Sequence, residues 1–181
     1  MIRSDARFPR RVTVFAALLC FAGAAGARQV KDDLFNGAEK FAANAKSSTE
    51  VNLDKKMLGL AGKFVGSGGD SALMRKMDFV IVRSYEYAKV GDYKMSDVEE
   101  FTARLNDGGW SHIVKERSAT ESTDVCVKSE ADGQVSELVV IDAEPKELTF
   151  VHLKGHLDVK DLMKAGASYG VPQGAAGPQK P

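Results

Sequence analysis

The chain has 181 residues, of which 44% are apolar and 28% charged, with 25 Lys and Arg against 25 Asp and Glu and two cysteines. That apolar fraction and zero net charge exclude a disordered chain, and two cysteines are too few for a disulfide scaffold. There is no overall basic field to draw a polyanion, so nucleic-acid binding is not expected.

Residues 1–27 carry Arg3, Arg7, Arg10 and Arg11, then an uncharged run from Val12 to Ala25, then Ala25-Gly26-Ala27. This is the layout of a signal peptide. The apolar run, about 14 residues, is short of the roughly 20 that span a bilayer, so cleavage is expected and no membrane span should remain after it. Leu19 before Cys20, and Ala17 where a lipoprotein signal has leucine, make Cys20 signal-core filler rather than a lipid site. Cys126 is then the one cysteine of the mature chain. It sits in the extended pattern Thr123–Lys128, which predicts burial.

The mature chain reads as one domain over 28–166 and a flexible Gly/Pro-rich tail over 167–181. Leu34, Phe35, Ala38, Phe41, Ala42 and Ala45 are spaced for one helix face. After a short extended stretch at Thr49–Val51, the pattern Leu53, Met57, Leu60, Ala61 and Phe64 predicts a second helix. The Gly66-Ser67-Gly68-Gly69 loop ends it, and Asp70 would cap a short helix through Met77. Ser96-Asp97-Val98-Glu99 reads as a capping box before Phe101 and Leu105, with Gly108-Gly109 as the stop. Trp110 should lock that helix against the sheet, and a last helix should begin at Asp158.

The strands are the segment 79–87, then Ser111–Arg117, Thr123–Lys128, Ser136–Ala143 and Leu148–Lys154, with turns at Asp132-Gly133 and Glu144-Pro145-Lys146. Short connections predict a meander joined to the strand at 79–87. The fold class is α+β: a mainly antiparallel sheet of about five strands packed with helices in two layers.

Val51-Asn52-Leu53-Asp54, Val82-Arg83-Ser84-Tyr85-Glu86-Tyr87, Gly109-Trp110-Ser111, Glu144-Pro145-Lys146-Glu147-Leu148-Thr149 and Leu153-Lys154-Gly155-His156-Leu157-Asp158 resemble the exported bacterial proteins grouped as domain-of-unknown-function family 4252. The resemblance spans about 47–171, most of the mature chain. It implies an envelope location and no established chemistry. Several members look like lipoproteins, a pattern from which this chain departs at Cys20.

Few residues point to chemistry. Gly66-Ser67-Gly68-Gly69-Asp70 could cradle a phosphate at a helix start, but it lacks the P-loop ending and comes after a helix where the dinucleotide fingerprint needs a strand. His152, His156 and Asp158 resemble metal ligands, yet Gly155 should end or bend the strand between the histidines and no third histidine is near, so no metal or other cofactor is expected. Cys126 and His112 fall on neighbouring strands and could meet across a hairpin, but nothing in the sequence supplies an electropositive setting or an oxyanion site. No catalytic residue is assigned.

The favoured function is a noncatalytic exported domain, periplasmic or outer-envelope associated, binding an envelope protein or component. The strand at 79–87 places Arg83, Tyr85 and Tyr87 on one face, the residue types strongest at interfaces, and they are the candidate partner-binding residues. The alternative is a small hydrolase or metal-dependent enzyme using His152, His156 and Cys126.

Overall fold

In the computed structural model, which describes residues 32–64, 69–158 and 160, Gly37 turns the chain at φ 92° into a 3-10 helix over Ala38–Asn44. That left-handed backbone suits glycine and breaks the longer helix expected from Leu34. Most apolar residues of the pattern still face inward, with Phe35, Ala38 and Phe41 buried and Leu34 and Ala45 half-buried, but the shift to a 3-10 helix leaves Ala42 exposed. The expected signal peptide, the loop at 65–68, all but the first residues of the expected last helix, and the tail lie outside the described residues.

Strand β1 runs Ser47–Asp54, longer than the Thr49–Val51 stretch expected, and takes Leu53 out of the helix after it. Asp54 Oδ1 accepts the Met57 N–H at 2.9 Å and so starts α1, Lys55–Phe64. Helix α2 covers Gly69–Lys76, which puts Asp70 inside the helix rather than ahead of it. Next come strand β2, Met77–Glu86, and helix α3, Met95–Arg104. Lys94 holds the N-cap position of α3 with no side-chain cap bond, so the capping box expected at Ser96 does not form.

The remaining strands are β3 (Ser111–Arg117), β4 (Ser122–Ser129), β5 (Val135–Glu144) and β6 (Glu147–Leu157). All six strands pair antiparallel in the order β1-β2-β6-β5-β4-β3. The fold is α+β, with six strands among the described residues rather than about five; β1 is the addition. Strands β3 to β6 form the expected meander, with Gly133 at φ 82° in one turn and Pro145-Lys146 in another. β6 then lies beside β2, and the segment containing α3 carries the chain from β2 to β3 at the far edge.

Neighbouring residues of a strand face opposite sides. Cys126 and Val127 accordingly belong to two separate cores. The larger gathers Phe35, Phe41, Phe101 and Phe150 from the N-terminal segment, α3 and the sheet. Phe150 is its hub, with ring centroids 5.0, 5.6 and 5.3 Å from those of Phe35, Phe41 and Phe101. The smaller, on the other face, joins Leu58 of α1 and Leu73 of α2 to Met77, Val127, Val135 and Leu157 at one end of the sheet. Helices α1 and α2 thus add a layer on the face opposite α3, where two layers in all were expected. Trp110, expected to lock the helix, is half-buried against the larger core with Lys128 Nζ 4.5 Å above its ring.

Gly155 does not end its strand. A Cβ there would strike the Lys76 carbonyl oxygen and lie 2.7 Å from Met77 Cα. The irregularity falls instead in its neighbours, as register shifts between Met77 and Phe79 and between Val135 and Glu137.

Candidate functional site

Residues directly opposite in an antiparallel pair share a face, so register places whole rows of side chains across the sheet. On the α1–α2 face one row reads Leu53, Val80, Leu153, Leu138 and Val127, and most of it packs under the two helices. The next consists of six valines, one per strand: Val51, Val82, Val151, Val140, Val125 and Val114. All six are half-buried and none belongs to either core. Beyond them comes a mainly hydroxyl row, Thr49, Ser84, Thr149, Asp142, Thr123 and Glu116, in which Thr149 and Ser84 hydroxyls lie 3.3 Å apart and Thr123 donates to Asp142 at 2.7 Å.

A carboxylate row ends the face, with Glu86, Glu147 and Glu144 opposite one another in turn. Burial and the charges of Asp142, Glu147 and Glu121 hold the Glu144 carboxyl above its ordinary value. Burial, Glu86 and Asp142 do the same to Glu147. The face therefore grades from apolar through hydroxyl to an acidic band.

Among the described residues the opposite face holds, besides the ion pairs of Arg83 with Glu39 and Glu50, two polar clusters built on histidine. His152, buried on β6, points Nδ1 at Asp32 Oδ1 (3.2 Å) and Nε2 at Glu137 Oε2 (3.1 Å). Phe79 meets its ring edge-on at 4.9 Å, and with Trp110 and Lys154 these groups line an open concavity of about 450 Å³. Burial would raise the Glu137 carboxyl, but the His152 contact and the charges of Lys128 and Lys154 bring it below the ordinary value.

The second cluster lies on the β3–β4 hairpin. His112 stands opposite Cys126, its Nδ1 3.1 Å from Sγ and 2.7 Å from Asp124 Oδ1, while Cys126 Sγ is 3.3 Å from the same oxygen. Burial, the hydrogen bond to Asp124 and the charge of Asp124 push the Cys126 thiol up to about 12. A nucleophilic cysteine needs the opposite shift.

Of the residues singled out from sequence, Cys126 and His112 do meet across their hairpin. His152 and Cys126 do not: β5 lies between their strands, two strand spacings or about 10 Å. His156 is exposed, four residues along β6 from His152 and about 13 Å by strand rise. Arg83 is a strut, donating to the Phe35 carbonyl at 2.8 Å and to Glu39 at 2.8 Å. The Tyr85 and Tyr87 rings are buried in the larger core, where Tyr87 donates to the Phe41 carbonyl at 3.0 Å. Burial raises both phenols, and neither ring offers surface to a partner. The valine row, Asp32, Asp124 and Glu137 escape sequence reading because only register and tertiary approach bring them into place.

No curated protein and no solved structure matches the chain. The family model described as a domain of unknown function (DUF4252) matches residues 41–165, which include the whole sheet and both polar clusters except Asp32. The chain belongs to the DUF4252 family.

Proposed function

We propose that this chain is a noncatalytic domain, exported to the periplasm or outer envelope, that docks an envelope protein on the open face of its sheet. The observation that carries the reading is the row of six half-buried valines crossing every strand outside both cores. A contiguous apolar strip rimmed by polar groups is the signature of an interaction site. The acidic band beyond it specifies the partner's chemistry: an apolar strip flanked by lysine or arginine. The state of Cys126 and His152 favours binding over hydrolysis, since the thiol is held protonated and two strand spacings separate the two residues. Export rests on the N-terminal pattern alone, and N-terminal sequencing of native protein should begin at Arg28 or within a few residues.

Docking is tested by placing lysine in the row at Val82 and Val140. Half-buried valines should tolerate this at a cost of about 1 kcal/mol each, so the fold survives. The complex that the wild-type chain forms in envelope extracts should be lost on size exclusion. A double variant that stays folded and still elutes in the complex contradicts the reading.

A further inference from the structure

The β3–β4 hairpin carries a cluster that docking does not use. Strand β3 has a register shift between His112 and Val114, so Ile113 is an extra residue, 58% exposed. A bulge of this kind re-aims side chains at a sheet edge. Here it leaves Val114 in the valine row while His112 meets Asp124 and Cys126 on the opposite face. One imidazole nitrogen, one carboxylate oxygen and one sulfur thus converge, every pair within 2.7–3.3 Å. The His152 trio is arranged differently: its carboxylates face opposite ring nitrogens and cannot close on one ion.

Hydrogen bonding alone leaves the hairpin cluster incomplete. The thiol and the ring nitrogen both engage Asp124 Oδ1, while Oδ2 has no hydrogen-bond partner among the described residues, on a side chain only 1% exposed. A buried carboxylate oxygen without a partner is costly and calls for an explanation. We propose that His112, Asp124 and Cys126 form a binding site for a divalent transition metal of the zinc class. Nitrogen, sulfur and oxygen donors together suit such an ion, whereas calcium and magnesium take oxygen alone. Zn–N and Zn–O bonds near 2.0–2.2 Å and Zn–S bonds near 2.3 Å need donor separations of roughly 3.3–3.6 Å, so the trio opens by roughly 0.3–0.7 Å on binding. The Cys126 proton leaves to water as the metal–sulfur bond forms; thiolate and carboxylate then neutralise the dication within the interior. His112, 23% exposed on the edge strand, gives the ion its route in, and a fourth coordination position stays open.

The test uses the full chain carrying Cys20→Ser, in which Cys126 is the sole thiol. Titration with Co²⁺ should give a thiolate-to-cobalt charge-transfer band in the near ultraviolet, saturating at one ion per chain and abolished by equimolar Zn²⁺. Zn²⁺ should also raise the unfolding temperature, because the ion binds only the folded hairpin. His112→Gln should weaken Co²⁺ binding at least about tenfold, the loss that even outer-shell partners of a metal produce, with the far-ultraviolet circular dichroism unchanged. His156→Gln should bind like the parent. The partly exposed His112 carries the test even if Cys126→Ser fails to fold. A folded parent chain with no charge-transfer band, or equal Co²⁺ affinity in His112→Gln and parent, overturns the proposal.

Discussion

Gly155 sets how closely β2 and β6 approach at the end of the sheet where α2 enters. Any side chain there meets backbone rather than a movable side-chain tip, so Gly155→Ala should cost roughly 1–3 kcal/mol, read as a shift in the urea midpoint with unchanged slope. An unshifted midpoint would show that the two strands can part without penalty. From sequence, Gly155 promises a strand end; the strand continues because the close approach that demands glycine comes from a chain segment 78 positions away. Tyr85 and Tyr87 show the same limit. Alternation in 79–87 correctly puts them on one face but does not say which face is covered, and the N-terminal segment with Phe41 closes over them. Phe150→Ala, which removes the ring shared by three phenylalanine contacts, should cost about 3–5 kcal/mol and is the stringent check on that core.

At the scale of elements, the meander is legible because its turns announce themselves: Gly133 takes the positive φ its turn needs, and Pro145 separates two strands that pair residue for residue from Glu137 to Glu144. β1 is not, because Leu53 fits both a strand ending at Asp54 and a helix beginning there, and the exposed Ser47–Glu50 carries no apolar alternation. The β5–β6 turn also carries the acidic band. Glu144 and Glu147 stand directly opposite with carboxyls raised above 4.5, so in the folded state they hold protons more tightly than in the unfolded chain. Their burden on stability is absent below the unfolded value and fully present above their raised folded values. Replacing both by glutamine should therefore stabilise the fold at neutral pH, by about 0.2–1 kcal/mol for an opposed like-charge pair, with the gain vanishing as pH falls below about 4. Urea unfolding at the two pH values checks it. Glu39 and Glu137 act with the opposite sign: their lowered carboxyls contribute stability above 4.5 that is lost as pH falls through their folded values, so the parent chain should also weaken in acid.

For the whole molecule, one sheet serves two faces unequally. The N-terminal segment and α3 close one face over a phenylalanine core; among the described residues, α1 and α2 close only one end of the other. The six valines come from six segments, and their alignment depends on β2 pairing with β6 across some 65 residues of chain, which no local pattern reveals. The same register carries the polar trio of His112, Asp124 and Cys126 on the reverse face of the β3–β4 hairpin, of which only the meeting of Cys126 with His112 is readable from a hairpin. The open face is the central claim, and a photo-crosslinking amino acid at Val140, in the middle of the row, tests it most directly. In native envelopes Val140 should give one discrete adduct with a second protein, joined through a peptide carrying apolar residues and lysine or arginine, while the same probe at exposed Ser96 on α3 gives none. No adduct at Val140, an adduct only with another copy of this chain, or equal adducts at both positions would contradict the account.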